Sequence, residues 1–165
     1  MKFVTYTNID GEKPRFGFKR DDEIVDVIRS AKWVNQNNKD ASFLTIPTTI
    51  KLALGNWDIN FSKLKGLNQA IPDSDLSSLE ANGKPIAIKE NEASLLPPVP
   101  NPDTFRDFYA FEQHVKAARK LRGLEMHPDW FRIPIFYFSN PNALYGHGAE
   151  IPYPKNTEEL DFELE

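Results

Sequence analysis

At 165 residues, with 40% hydrophobic and 12% aromatic side chains, the chain has enough apolar surface to bury one full domain and part of a second. Its net charge of −4 argues against a general binder of nucleic acid or of anionic membrane, since the phosphates of either would repel it. With no cysteine there can be no disulfide, no thiolate nucleophile and no cysteine-ligated zinc or iron–sulfur site.

The N-terminus, MKFVTYTNIDGEK, has no apolar stretch of the kind a secretory leader needs, and no run is long enough to span a bilayer, so the expected location is cytoplasmic. Residues 2–7, 14–19 and 23–28 are short segments rich in aromatic and β-branched side chains. Asp10-Gly11 and Arg20-Asp21-Asp22 separate them, which predicts a small antiparallel sheet. Apolar residues over 43–54, closed by Gly55, predict a helix with Pro47 in its first turn. Residues 58–80 are polar and predict short helices, one of them after Ser74-Asp75. Residues 84–88 and 93–96 predict further strands.

Pro97, Pro98, Pro100 and Pro102 can join neither a helix interior nor a central ladder, which places a domain boundary here: a β-rich domain over 1–93 and a second domain from 94. Asp103 then reads as the cap of a helix carrying Phe108, Phe111, Val115, Ala118 and Leu121 at spacings of three and four, stopped by Gly123. The aromatic, proline-punctuated run FRIPIFYFS reads as strands and turns. The expected class is α+β, mainly β.

Two clusters point to chemistry. In LDFELE, Glu163 and Glu165 alternate with Leu160, Phe162 and Leu164, so both carboxylates project from one strand face. Two parallel acids are stable together only around a cation, which makes a hard divalent ion, Mg²⁺ or Ca²⁺ with Mn²⁺ as a further option, the natural occupant. Upstream, Asp107 and His114 are seven apart, which on one helix returns both to one face about 10 Å apart along the axis. That suits a carboxylate on the metal and an imidazole facing a substrate or water beyond it. Tyr109 and Arg122 suit an acidic ligand. Taken singly, each residue also has an ordinary reading: a hydrogen-bonded histidine for His114, a core aromatic for Trp130, an exposed loop position before a proline for His127 and a turn position for His147.

Asp107, Phe108, Tyr109, Gln113 and His114, then Pro128, Trp130, Pro134 and Tyr137, then LDxELE, together resemble the fumarylacetoacetate hydrolase family in order and spacing over roughly 95–165. The first 95 residues match it only in kind, as a small β-domain ahead of a mixed-β catalytic domain. The resemblance implies metal-dependent cleavage of a carbon–carbon bond in a β-diketone or acylpyruvate-type acid. It makes His114 the general base, Tyr109, Arg122 and Tyr137 the substrate contacts, and Asp107, Glu163 and Glu165 the metal ligands. A homodimer through the catalytic domain is implied as well. The chain departs from smaller family members at Ala117, where they carry a glutamate three residues after the histidine. The family's further ligand and its oxyanion-stabilising residues are expected beyond Glu165, so a chain ending there is expected not to turn over substrate. Two rival readings are a decarboxylase, hydratase or isomerase of a related keto acid, and a non-catalytic binding module that lends a strand edge to another chain.

Overall fold

The structure is a computed structural model and describes residues 1–8, 13–73 and 75–160. It divides into two compact units: Met1–Pro100 with the described residues from Tyr145 onward, and Asn101–Leu144.

In the first unit, β1 (Lys2–Asn8), β2 (Arg15–Arg20) and β3 (Glu23–Asp26) form an antiparallel meander. With β6 (Ala87–Lys89) and β7 (Ala93–Leu96) it makes a five-stranded sheet in the order β6-β3-β2-β1-β7. Alternation gives the sheet two apolar faces. Phe16, Phe18 and Val25 face the larger core, where the helices supply Val27, Val34, Leu64 and Leu67. Tyr6, Ile24 and Ile88 face the other side with Val4 and Leu95. The fully buried aliphatic and phenylalanine side chains among them, Phe18, Ile24, Val25, Val27, Val34, Leu64 and Leu67, are each worth about 1.5–3 kcal/mol of apolar burial. Between its two phenylalanines β2 has Gly17, where a Cβ would stand 2.8 Å from the Ile24 methyl and 2.9 Å from the Val25 carbonyl. Only glycine lets β2 and β3 approach that closely.

The strand expected over 23–28 stops at Asp26, and the chain turns into α1 (Val27–Asn37). The physical reason is the cap: the Asp26 carboxylate accepts the Arg29 backbone N–H at 2.8 Å. Val27, Ala31 and Val34 recur at four and three and face the core. Within 43–54, only α2 (Ile50–Leu54) is helical. Its start is Thr49, whose Oγ1 accepts the Leu52 N–H, and Pro47 lies buried ahead of it instead of in its first turn. The polar stretch expected to hold short helices forms the 14-residue α3 (Trp57–Ala70). Trp57 and Phe61 stack at 5.1 Å, and Phe3 meets both rings edge-on. Arg20 of β2 ties down the far end of α3 through the Asn68 side chain and the Pro72 carbonyl. Leu76–Ser78 adds one 3-10 turn. Next, β4 (Glu80–Ala81) and β5 (Lys84–Pro85) form a hairpin around Asn82 and Gly83. Both turn residues have positive φ, 54° and 69°, as a two-residue Asn-Gly turn requires.

The second unit pairs β8 (Phe105–Phe108) with β9 (Phe136–Ser139), with α4 (Glu112–Leu121) and the 3-10 turn Pro128–Phe131 between them. The helix expected from Asp103 onward is therefore corrected. Residues 105–108 form a strand because they gain a ladder with 136–139, and the FRDF and FYFS segments suit a pleated pair better than a helix. Of the expected apolar stripe only Val115 is buried; Phe108, Phe111 and Leu121 are exposed. The stop at Gly123 is as expected. Its φ is 69°, its N–H bonds to the Lys120 carbonyl, and the Leu124 N–H bonds back to Arg119, which is a Schellman closure. Among the described residues no helix is long and apolar enough to cross a membrane.

Candidate active site

All the proposed site residues among those described lie in the second unit. Asp107 sits in β8 directly opposite Tyr137 in β9, where facing side chains stand about 4.5–5.5 Å apart at Cβ on one face of the pair. The other face carries Arg106 over the rings of Phe136 and Phe138, at 5.3 and 5.1 Å, with Phe108 packed on Phe136. Alternation thus sorts a face carrying Asp107 and Tyr137, with Phe105 and Ser139 at its end, from an apolar face capped by a cation–π contact.

Tyr109 follows Asp107 by two residues, and its N–H still bonds to the Ile135 carbonyl at 3.0 Å, so it continues the ladder. Its ring meets the imidazole of His114 edge-on, centroids 5.9 Å apart at 89°. His114 lies in the first turn of α4. The single-helix geometry expected for Asp107 and His114 is therefore replaced: one is on a strand, the other on a helix, and Tyr109 joins the two elements. The Asp107 carboxylate is half-buried and has no hydrogen-bond or ion-pair partner among the described residues. His114 and Tyr137 are exposed, Tyr137 at 72%.

Trp130, read from the sequence as a core aromatic, does more than pack. Its indole N–H donates to the Tyr109 carbonyl at 2.7 Å, while its ring meets Phe131 edge-on at 4.9 Å. The signal available beforehand was chemical: a half-buried Trp keeps one N–H that must find an acceptor. Arg122 lies beyond the last turn of α4, eight residues from His114 and so about 12 Å along the axis. The structure does not bring it to the imidazole. Glu163 and Glu165 lie outside the described residues. Among the described residues no three His, Asp or Glu side chains gather around one point.

What this face can do is limited and specific. It presents one hard oxygen donor, two phenols and an imidazole, a set suited to holding an oxygen-rich anion and moving a proton beside it. Residues 103–165 match the family described as fumarylacetoacetate (FAA) hydrolase C-terminal, the span that holds every one of these groups. No curated protein matches the chain.

Proposed function

We propose that this chain, whose residues 103–165 carry a segment of the fumarylacetoacetate hydrolase family, serves in the metal-dependent hydrolysis of a carbon–carbon bond in a β-diketone or acylpyruvate-type acid. The family match supports a hydrolase- or lyase-like role at the coarser level. The observation that carries the finer reading is the arrangement of Asp107, Tyr137, Tyr109 and His114 around one strand face and the adjoining helix turn.

Asp107, with Glu163 and Glu165, would hold a hard divalent cation, Mg²⁺, Ca²⁺ or Mn²⁺, whose chemistry there is to polarise a keto oxygen and offset the charge of a departing enolate. The Asp107 carboxylate, without a hydrogen-bond or ion-pair partner among the described residues, fits such a donor set. His114 takes a proton from water as the water oxygen bonds to the carbonyl carbon. The adjacent carbon–carbon bond then breaks, its electron pair leaves with the enolate fragment, and a proton returns to that carbon. The Tyr109 ring fixes the imidazole's orientation, and the phenol of Tyr137 donates to an acid oxygen. Arg122, at the far end of α4, would meet only the distal carboxylate of an extended acid. A homodimer in the cytoplasm, acting on a small keto acid and on neither nucleic acid nor membrane, completes the reading.

The test is turnover by the natural full-length polypeptide, with acylpyruvate and oxaloacetate as parallel substrates. The reading expects Mg²⁺-dependent loss of the acylpyruvate, and His114→Ala lowering kcat by about 10²–10⁴-fold. Release of carbon dioxide from oxaloacetate with no acylpyruvate cleavage would replace it with a decarboxylase.

A further inference from the structure

The face of the β8–β9 pair that carries Asp107 also carries a residue with no part in the chemistry assigned so far. Asp107 stands opposite Tyr137, and one pleat nearer the start of β8, Phe105 stands opposite Ser139 on the same face. We propose that Phe105 is a specificity-determining residue, a platform for an apolar acyl tail, so that the preferred substrate is an acylpyruvate with a long alkyl or an aryl acyl group. This specificity rests on the carbon–carbon hydrolysis proposed above.

The two faces of the pair treat their phenylalanines differently. On the face away from Asp107, Phe108 packs on Phe136 at 5.2 Å and Phe136 on Phe138 at 5.0 Å, so the rings shelter one another. The Phe105 ring meets no other aromatic ring among the described residues and is 44% exposed. Its cross-strand partner Ser139 is small, and a large side chain opposite a small one leaves a step in the face beside Asp107. Residues two apart on a strand lie about 6.6 Å apart along it. An acetyl methyl next to a keto oxygen held at Asp107 stops short of Phe105, whereas a phenyl ring or a longer alkyl chain reaches it.

Charge decides between an apolar tail and one that ends in a second carboxylate. Arg106, the one cation in the two strands, belongs to the other face: it lies over the rings of Phe136 and Phe138 and donates to the Thr104 hydroxyl at 2.8 Å. The face of Asp107 and Phe105 therefore has no strand cation to receive a carboxylate. The donor set proposed for the ion is itself anionic, since Asp107, Glu163 and Glu165 together outweigh a divalent charge. A carboxylate laid against Phe105 would lose water to an aromatic ring and gain no partner. An apolar tail there removes its own surface and that of the exposed ring from water.

The test compares kcat/KM for acetylpyruvate and hexanoylpyruvate in the natural full-length polypeptide with Mg²⁺ present. Both acyl carbonyls are flanked by alkyl carbon, so their intrinsic reactivities are close and the ratio reads the tail. Wild type should prefer hexanoylpyruvate by at least about tenfold. Phe105→Ala should cut that preference by at least about fivefold, while Phe105→Leu, which keeps an apolar side chain, should hold it. If the alanine variant fails to fold, Phe105→Gln carries the same comparison. Cleavage of both substrates without a preference in wild type overturns the specificity and leaves the hydrolase reading standing. So does a ratio unchanged in the variant, or an equal loss on both substrates, as a packing or subunit contact at Phe105 would give. Cleavage of neither substrate by wild type overturns both.

Discussion

At the scale of single residues, Asp26 joins three elements through one side chain. One carboxylate caps α1, accepts the Tyr6 hydroxyl and pairs with Arg15, all at a nearly fully buried position. Burial, the neighbouring Asp26 charge and the Tyr6–Asp26 hydrogen bond push the Tyr6 phenol well above its ordinary value of 10.0. The sign follows from linkage. A raised folded-state value means that the neutral phenol is favoured on folding. That stabilisation is fully present below about pH 10 and is lost as pH rises toward the folded-state value, at about 1.4 kcal/mol per unit. Urea unfolding from pH 7 to 11 should therefore show wild type ahead of Tyr6→Phe by about 1–3 kcal/mol at neutral pH, the worth of a hydrogen bond to a charged group. The gap should narrow above pH 10, and a gap constant across that range would contradict the assignment. Little of this was legible beforehand. EIVDVI reads as one apolar run, and nothing in it separates a buried strand from a strand that ends in a capping aspartate.

The elements show where spacing alone goes astray. Helical spacing over 103–122 was real only from Glu112 onward, because the residues before it find a better partner in 136–139 than in a helix. The same correction brings Asp107 opposite Tyr137, a neighbourhood the helical reading did not contain. The helix end was legible, since a glycine after the last apolar residue commonly means a left-handed stop. Gly123→Ala meets open space, so its cost should be purely the positive φ, about 1 kcal/mol, seen as faster amide exchange in the last turn of α4. The Trp130→Phe replacement removes the donor to the Tyr109 carbonyl. We expect it to lower stability by about 1 kcal/mol and to weaken the nuclear Overhauser contact between the Tyr109 and His114 rings, while an undisturbed contact would show that Trp130 only packs.

For the molecule as a whole, the opening antiparallel sheet was legible from turn chemistry and aromatic alternation, and the meander lies where those signals put it. The Asn82-Gly83 dipeptide of the β4–β5 hairpin is an equally strong turn signal. The β8–β9 pair exposes Phe105 and Tyr137 on one face and Phe138 on the other, and the apolar Phe138 face suits a second copy. Light scattering of the natural polypeptide should report a dimer. The family motifs were legible because they combine residue type, order and spacing over 103–165; the geometry that relates them was not, since it depends on a strand pairing between segments about thirty residues apart.

The central claim is that Asp107 binds a divalent cation beside His114. Mn²⁺ added to the purified protein is the most direct probe, because its unpaired electrons broaden nearby resonances selectively. The account predicts early broadening of the Asp107, Tyr109, His114 and Tyr137 signals, abolished in Asp107→Asn and competed by Mg²⁺. Broadening that is uniform across the surface, or that persists unchanged in Asp107→Asn, would contradict it.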